Sequence, residues 1–315
     1  MLKLIGYRVL LAIPQLLILS LLVFLLTYMV PGSVAAAILG DAAATPEAIA
    51  EIEEQLGLNR PIWERLADYY VALFHGDLGT SIISGQAVAD MIAARIPATL
   101  SLVGGGLLFA ILFGVSAGIF AGVRAGQVRD RAVTGFTAVI QSVPEFWVGL
   151  ILVLVFVIQL GWFPVVAWTP PNQDAGAWLW GLLLPAIALG AGAFALIARQ
   201  TRTAVADSLA SKYVEMLTAA GVSRGRIVWK YALKNAMVPV LAASGLAVGI
   251  LIGTSLVMER VFSFPGLGSL MLGSALSKDF PVVQGIALTI AIIVIVVNLV
   301  IDILYGVINP KARPA

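Results

Sequence analysis

Apolar residues do not alternate along this chain; they come in solid blocks divided by shorter polar stretches, and six blocks stand out, residues 9–30, 99–123, 132–160, 178–198, 237–258 and 282–307. A helix rising 1.5 Å per residue needs roughly 20 residues to cross a hydrocarbon core of about 30 Å. Each block is therefore predicted to be a transmembrane helix. A transmembrane barrel would show alternation in segments of about ten residues instead. Lys3, Arg8 and the run Ala35, Ala36, Ala37 resemble a signal peptide and its cleavage site. The first block is longer than the roughly 7 to 15 apolar residues of such a leader, which predicts an uncleaved span.

Two polar stretches carry helical patterns of their own. In residues 31–97, "TPEAIAEIEEQLG" reads as a short helix capped by Thr45, with Pro46 preset for its first turn, Glu47 at its positive end and Gly57 terminating it. "RPIWERLADYYVALFHG" reads as a second, with Ile62, Leu66, Tyr69 and Leu73 on one face and Gly76 closing it. In residues 199–236, Tyr213, Met216, Leu217 and Ala220 fall at helical spacing and form an apolar stripe. Gly221 permits a sharp turn, Ser223 can cap a second helix, and Pro239 follows where that helix enters the fifth block. The pattern predicts two short helices folded around a glycine as a knob beside the membrane.

Composition agrees with a bilayer solvent: 60% of residues are hydrophobic and 11% charged, against roughly 45–50% and 25% in soluble domains. Charge then orients the chain. Fourteen of the 19 basic residues fall on one side of a six-span arrangement, so the positive-inside rule predicts that both termini and residues 199–236 are cytoplasmic. That segment holds seven basic residues against Asp207 and Glu215. Residues 31–97 lie opposite, with nine acidic residues against Arg60, Arg65 and Arg95. They form either a solvated acidic cap or a docking face for an external partner. The basic knob likewise reads either as an amphipathic segment on anionic lipid or as a plug whose small turn, Ala219, Ala220 and Gly221, lets a partner approach the backbone.

The chain has no cysteine and His75 as its only histidine, which argues against thiolate metal sites and histidine-based catalysis. It has no GxxxxGK[ST] phosphate loop, so nucleotide energy would have to come through another subunit. Ionisable side chains inside the blocks are scarce. Glu145, just after Pro144 in the third block, faces a water-filled path or another subunit, or else sits at a helix break near the headgroups. Glu259 and Arg260 end the fifth block before "VFSFPGLGSL", whose Pro and Gly residues break the helix. Asp302 is expected to pair with a basic side chain or reach the interface. Gly114, Gly118 and Gly122, and again Gly245, Gly249 and Gly253, form ladders suited to close helix packing, within the chain or against another.

Taken together, "RVLLAIPQLLILSLLVFLLTYMVPG", "TPEAIAEIEEQLGLNRPI", "HGDLGTSI", "RIPATLSL", "SVPEFWVGL", "KYALKNAMVP", "ERVFSFPGLGSL" and "DFPVVQGIALTIAIIVIVVNLVIDILYGVINPKAR" make the chain resemble the B-type permease subunit of binding-protein-dependent ABC importers in the dipeptide, oligopeptide and nickel group. The resemblance covers almost the whole chain. It implies an all-α integral membrane protein with six transmembrane helices of the type I ABC importer permease kind. The parts would be a cytoplasmic end and first span (1–30), a small helical extracytoplasmic region (31–97), a five-helix core (98–310) with the coupling loop 199–236, and a cytoplasmic tail (311–315).

It further implies a coupling motif, a Glu followed six residues later by Gly, inserted into a groove on a cytoplasmic ATPase. Glu215 and Gly221 fit that spacing, and Ala219, Ala220, Val222, Ser223 and Arg224 complete the candidate surface. Met216 and Leu217 replace the two alanines of the general pattern, and Thr218 stands where a basic residue is common. Pro144, Glu145, Met258 and Glu259 are the candidate pathway or gate residues. The chain would be no enzyme and bind no metal or cofactor; ATP and Mg would sit on two ATPase partners, beside a second permease, an extracytoplasmic solute-binding protein and membrane lipid, with no nucleic acid involved. The setting implied is a bacterial or archaeal inner membrane. Peptides are the expected cargo, with nickel or another small solute as the alternative. An ion-driven secondary transporter and a membrane-bound enzyme or scaffold are the readings from other classes.

Overall fold

The computed structural model describes residues 2–29, 34–39, 45–55, 57 and 59–308. The tail 311–315 and parts of 31–97 therefore lie outside the described residues. In chain order the helices are α1 (Leu2–Met29), α2 (Val34–Leu39), α3 (Pro46–Gln55), α4 (Ile62–Phe74), α5 (Val88–Gly122), α6 (Val128–Ser142), α7 (Glu145–Leu152), α8 (Ala175–Leu209), α9 (Lys212–Ala219), α10 (Arg224–Arg226), α11 (Leu233–Val261), α12 (Leu267–Leu276) and α13 (Phe280–Ile308). Wider π-helical turns continue α7 through Val153–Gln159 and join α10 to α11 through Ile227–Ala232. Among the described residues no strand forms, and Thr80 and Ala87 make an isolated antiparallel bridge.

Five of these helices are long and apolar enough to cross a bilayer. The third apolar block is broken into α6 and α7, which meet at 92°, and the pair makes a sixth span if the two are taken together. Pro144 has no N–H to continue the ladder and pushes the residue before it out of the helical region. Val143 is accordingly extended, at φ −98° and ψ 126°.

The chain divides into two units. The larger is built on Ala98–Pro265 with short pieces of the first and last helices. At its centre lies α8, packed by α6, α7 and α11. Its run of small residues explains how so many neighbours fit. Without a hydrophobic effect between helices in lipid, close van der Waals contact must hold them, and glycine supplies the approach. A Cβ on Gly118 of α5 would stand 2.4 Å from Thr201 Cβ and 2.6 Å from the Ala198 carbonyl; on Gly190 of α8 it would stand 2.5 Å from the Gly106 carbonyl. The first glycine ladder is thus an intramolecular α5–α8 seam. The second divides: Gly245 meets Ile301, whereas Gly249 and Gly253 have no atom within 4 Å of where a Cβ would be.

Polar clasps complete this unit. Asp130, 4% exposed, accepts from the Gly126 amide at 2.7 Å and from Arg202 Nε and Nη2 at 2.8 and 2.6 Å. It thereby fastens the start of α6 to α8. Asp302 takes both ends of the Arg8 guanidinium, at 2.8 and 3.0 Å, as the sequence led one to expect. Asp174 caps α8 by accepting from the Ala177 amide at 2.9 Å.

The second unit comprises Val9–Pro97 and Gly266–Ile293. Thr45 caps α3 through the Ala48 amide at 3.3 Å, and Gly57 and Gly76 adopt the left-handed φ that ends α3 and α4. His75 bonds locally, Nδ1 to the Val71 carbonyl at 2.7 Å. Val88, Ile92, Leu267, Val282 and Ile286 form the core. Asp279, 3% exposed, accepts from Ser81 Oγ at 2.5 Å and from the Ile82 amide at 3.1 Å.

Candidate functional site

The helical knob is simpler than the sequence suggests. Helix α8 runs unbroken to Leu209, so the first part of residues 199–236 extends the fourth span. At the other end, α10 and its π-turn flow directly into α11. What projects is α9 and one turn. Gly221, at φ 78°, closes that turn as a Schellman motif: its amide donates to the Thr218 carbonyl and the Val222 amide to the Leu217 carbonyl, both at 3.0 Å. Ser223 stands at the N-cap position of α10, but its hydroxyl makes no capping bond. The apolar stripe also divides: Tyr213 and Leu217 are half-buried, while Met216 is 72% exposed and Ala220 exposed. Glu215, Ala219 and Gly221 are exposed beside them, with Arg224 at the start of the next helix.

A relay of hydroxyls ties this projection to its neighbours. Asn235 Nδ2 donates to Tyr213 Oη at 3.2 Å, Tyr213 and Ser208 share a hydrogen bond of 2.5 Å, and Ser208 Oγ donates to the Ala232 carbonyl at 3.2 Å. One proton per hydroxyl suffices if Tyr213 donates to Ser208. Arg224 Nη2 reaches the Val123 carbonyl past the end of α5 at 3.5 Å. Motion of α9 is therefore linked by direct bonds through Tyr213 to α8 and α11, and the helix after the turn, α10, reaches the end of α5 through Arg224. Sequence picked out Tyr213 only as a member of the apolar stripe and did not pick out Ser208 or Asn235, since the bond from Asn235 to Tyr213 spans 22 residues and cannot be paired by spacing.

A second feature lies at the α6–α7 break. Pro144 is the N-cap of α7 and Glu145 its first residue. Glu145 leans against Gly192 of α8, where a Cβ would fall 2.2 Å from Oε1. The two line a cleft of about 400 Å³ together with Gln141, Ala193, Leu196 and Ile250. Met258 and Glu259 are elsewhere. Met258 is buried, its Sδ 3.2 Å from where a Gly149 Cβ would be, and the wholly buried Glu259 accepts from Thr99 Oγ1 at 2.7 Å. The structure does not bring these two to the Glu145 cleft.

Several apolar spans packed through glycine, a broken helix with a carboxylate at its bend, and a glycine-closed projection bonded to α8 and α11 define a multi-pass membrane subunit. The chain belongs to the family of binding-protein-dependent transport system inner membrane components, which it matches over residues 114–314, with the corresponding N-terminal family matched over residues 1–103. It is 39% identical over 318 residues to the glutathione transport system permease protein GsiC of Escherichia coli (strain K12), covering 99% of each chain. It is 37% identical over 333 residues to the di/tripeptide transport system permease protein DppB of Pseudomonas aeruginosa (strain UCBPP-PA14), with the same coverage. Among solved structures, the fold is similar to a chain of the inward-facing MetNI methionine ABC transporter, at a TM-score of 0.57 and 18% identity, over 70% of this chain and 96% of that one.

Proposed function

We propose that this protein forms half of the translocation path of an ATP-driven peptide importer, and that α9 with its Gly221 turn is the joint through which a cytoplasmic ATPase moves the path. The observation that carries the reading is the Schellman turn at Gly221. It presents a small, exposed backbone corner next to an element that Tyr213 ties by hydrogen bonds to Ser208 of α8 and Asn235 of α11. A loose loop on lipid would need no such ties. Peptide cargo is supported by what the relatives from E. coli and P. aeruginosa are said to transport.

In this reading a second, homologous permease completes the path, two ATPases carrying ATP and Mg seat below it, and an extracytoplasmic binding protein delivers cargo from above. The basic residues around α9 support a cytoplasmic position for that helix and for both termini. Glu215, Met216 and Ala219 to Arg224 meet the ATPase groove, and Pro144 and Glu145 line the path. The test uses the absence of native cysteine: Ala220→Cys and Val222→Cys, placed singly in the intact, active complex, should crosslink to an ATPase and to no other subunit. Specific crosslinks missing from both variants in a complex that still transports would end the coupling reading.

A further inference from the structure

Glu145 is an unusual residue to keep in this place. Its Oε2 is buried and accepts no hydrogen bond. The Thr254 hydroxyl, which donates to the Ile250 carbonyl at 3.1 Å, is close enough to turn to Glu145 instead. Arg199, at the same end of α8, donates to Gln141 Oε1 and is in no ion pair with Glu145. A carboxylate among membrane helices costs about 2.5 to 3.5 kcal/mol on insertion scales unless something meets it.

The surroundings specify what could. Pro144 ends the hydrogen-bond ladder of α6, so carbonyls of its last turn lack helical partners and its negative dipole end opens at the bend. Ile140, Gln141 and Val143, from that end, line the cleft with Glu145, the one residue of the lining that carries a formal charge, and the Ile140 carbonyl accepts from the Val143 amide at 3.3 Å. The rest of the lining is apolar, and no second carboxylate or histidine is there to complete a divalent metal site, which needs about six oxygen ligands. A single carboxylate with an unpartnered oxygen in a small cleft suits a compact monovalent cation with several N–H donors.

We infer that the Glu145 carboxylate, seated against Gly192 at the α6–α7 bend, is a subsite for a primary ammonium group, that of the amino terminus of a peptide in transit. This rests on the pathway reading above and adds to it the group recognised. Gly192 is the cradle, since any larger residue would displace the carboxylate. Gln141 and Ile250 border the space the ammonium enters.

The experiment places one thiol in the cleft by Ile250→Cys, in the otherwise native chain within the complete importer in proteoliposomes. Its modification by a trimethylammonium and by a sulfonate methanethiosulfonate is followed as the mass of this chain. The cationic reagent should react faster by about tenfold or more, as an electronegative cleft concentrates cations by at least that factor. Adding Glu145→Gln should bring the ratio to near one. Ala-Ala should slow the cationic reaction, and N-acetyl-Ala-Ala should not. A ratio near one with Glu145 intact overturns the subsite, whether the carboxylate is protonated or already paired with another subunit, and it does so even if the Gln variant does not fold. A preference that survives Glu145→Gln, or equal protection by both peptides, also overturns it. Failure of the pathway reading looks different: neither reagent reaches the thiol, although the same liposomes take up peptide with ATP.

Discussion

Arg202 clasps Asp130 with both ends of its guanidinium, Nε to Oδ1 at 2.8 Å and Nη2 to Oδ2 at 2.6 Å. The pair joins α6 to α8 just beside the α5–α8 glycine seam, where a Gly122 Cβ would stand 2.7 Å from the Arg202 carbonyl. Its geometry is that of a planar fork on a carboxylate, which lysine does not reproduce.

Removing the carboxylate should therefore be costly. Asp130→Ala leaves the Gly126 amide and the Arg202 fork without their acceptor, a loss of about 1.5 to 3 kcal/mol for hydrogen bonds to a charged group. The lower end is expected, because a third of the Arg202 side chain, 33%, remains in solvent and water can take over part of its bonding. Arg202→Lys should recover little. Thermal unfolding of the two single variants and the double variant checks this: a double-variant loss equal to the sum of the singles would mean that the pair does not act as a unit.

The two glycine ladders should respond in opposite ways. Gly118→Ala drives a methyl into Thr201 and the Ala198 carbonyl, neither of which is a flexible tip, and overpacking of this kind costs about 1 to 3 kcal/mol. Gly249→Ala and Gly253→Ala meet nothing within 4 Å and should leave the stability of the purified chain unchanged. Unfolding midpoints in one detergent decide it, and equal losses at Gly118 and Gly249 would refute the seam.

Those two ladders mark where sequence reading reaches and where it stops. Spacing alone makes Gly118 and Gly249 look alike; only the helix opposite distinguishes them, and that is a tertiary fact. Local chemistry was legible: Thr45 caps, Gly57, Gly76 and Gly221 turn left-handed, and Asp302 finds a base. Pro144 marked a possible break, but the 92° bend depends on how α7 packs beside α8 and α11. The Asp130–Arg202 clasp spans 72 residues and offers one weak hint, an acid set between Arg129 and Arg131. Helix α8 outlasted its apolar block because the polar residues after Ala198 keep helical spacing, with Thr201 and Val205 still facing inward and buried.

Gly221→Ala tests the joint without removing any contact. A Cβ there would meet no atom within 4 Å, so the penalty is conformational, roughly 1 to 2 kcal/mol for holding a residue with a Cβ in the left-handed region. The turn should relax and the complex still assemble, while peptide taken up per ATP hydrolysed falls several-fold. Gly225→Ala, in the adjoining helical turn and equally unobstructed, is the control and should be neutral. An unchanged transport-to-hydrolysis ratio in Gly221→Ala would count against a mechanical role for this turn.

Asp279 should prove to be the pin of the second unit. Its two oxygens divide the work: Oδ2 takes the Ser81 proton at 2.5 Å and Oδ1 the Ile82 amide at 3.1 Å, while Ser81 Oγ in turn accepts from the Ser84 amide at 2.9 Å. Asp279→Ala strands both donors in a site where Ser81 and Asp279 are each 3% exposed. Asp279→Asn keeps an acceptor for Ile82 but turns an NH₂ toward Ser81, so its effect should be intermediate. Hydrogen exchange in the intact complex reads this directly: the Ile82 amide should exchange about tenfold faster or more in the Ala variant, for a lost bond of roughly 1.4 kcal/mol, with a smaller change in the Asn variant. Amides of α5 should keep their rates, because Val88 and Ile92 hold its first turns through the apolar core, and uniform acceleration across α5 would show instead that Asp279 supports the whole unit.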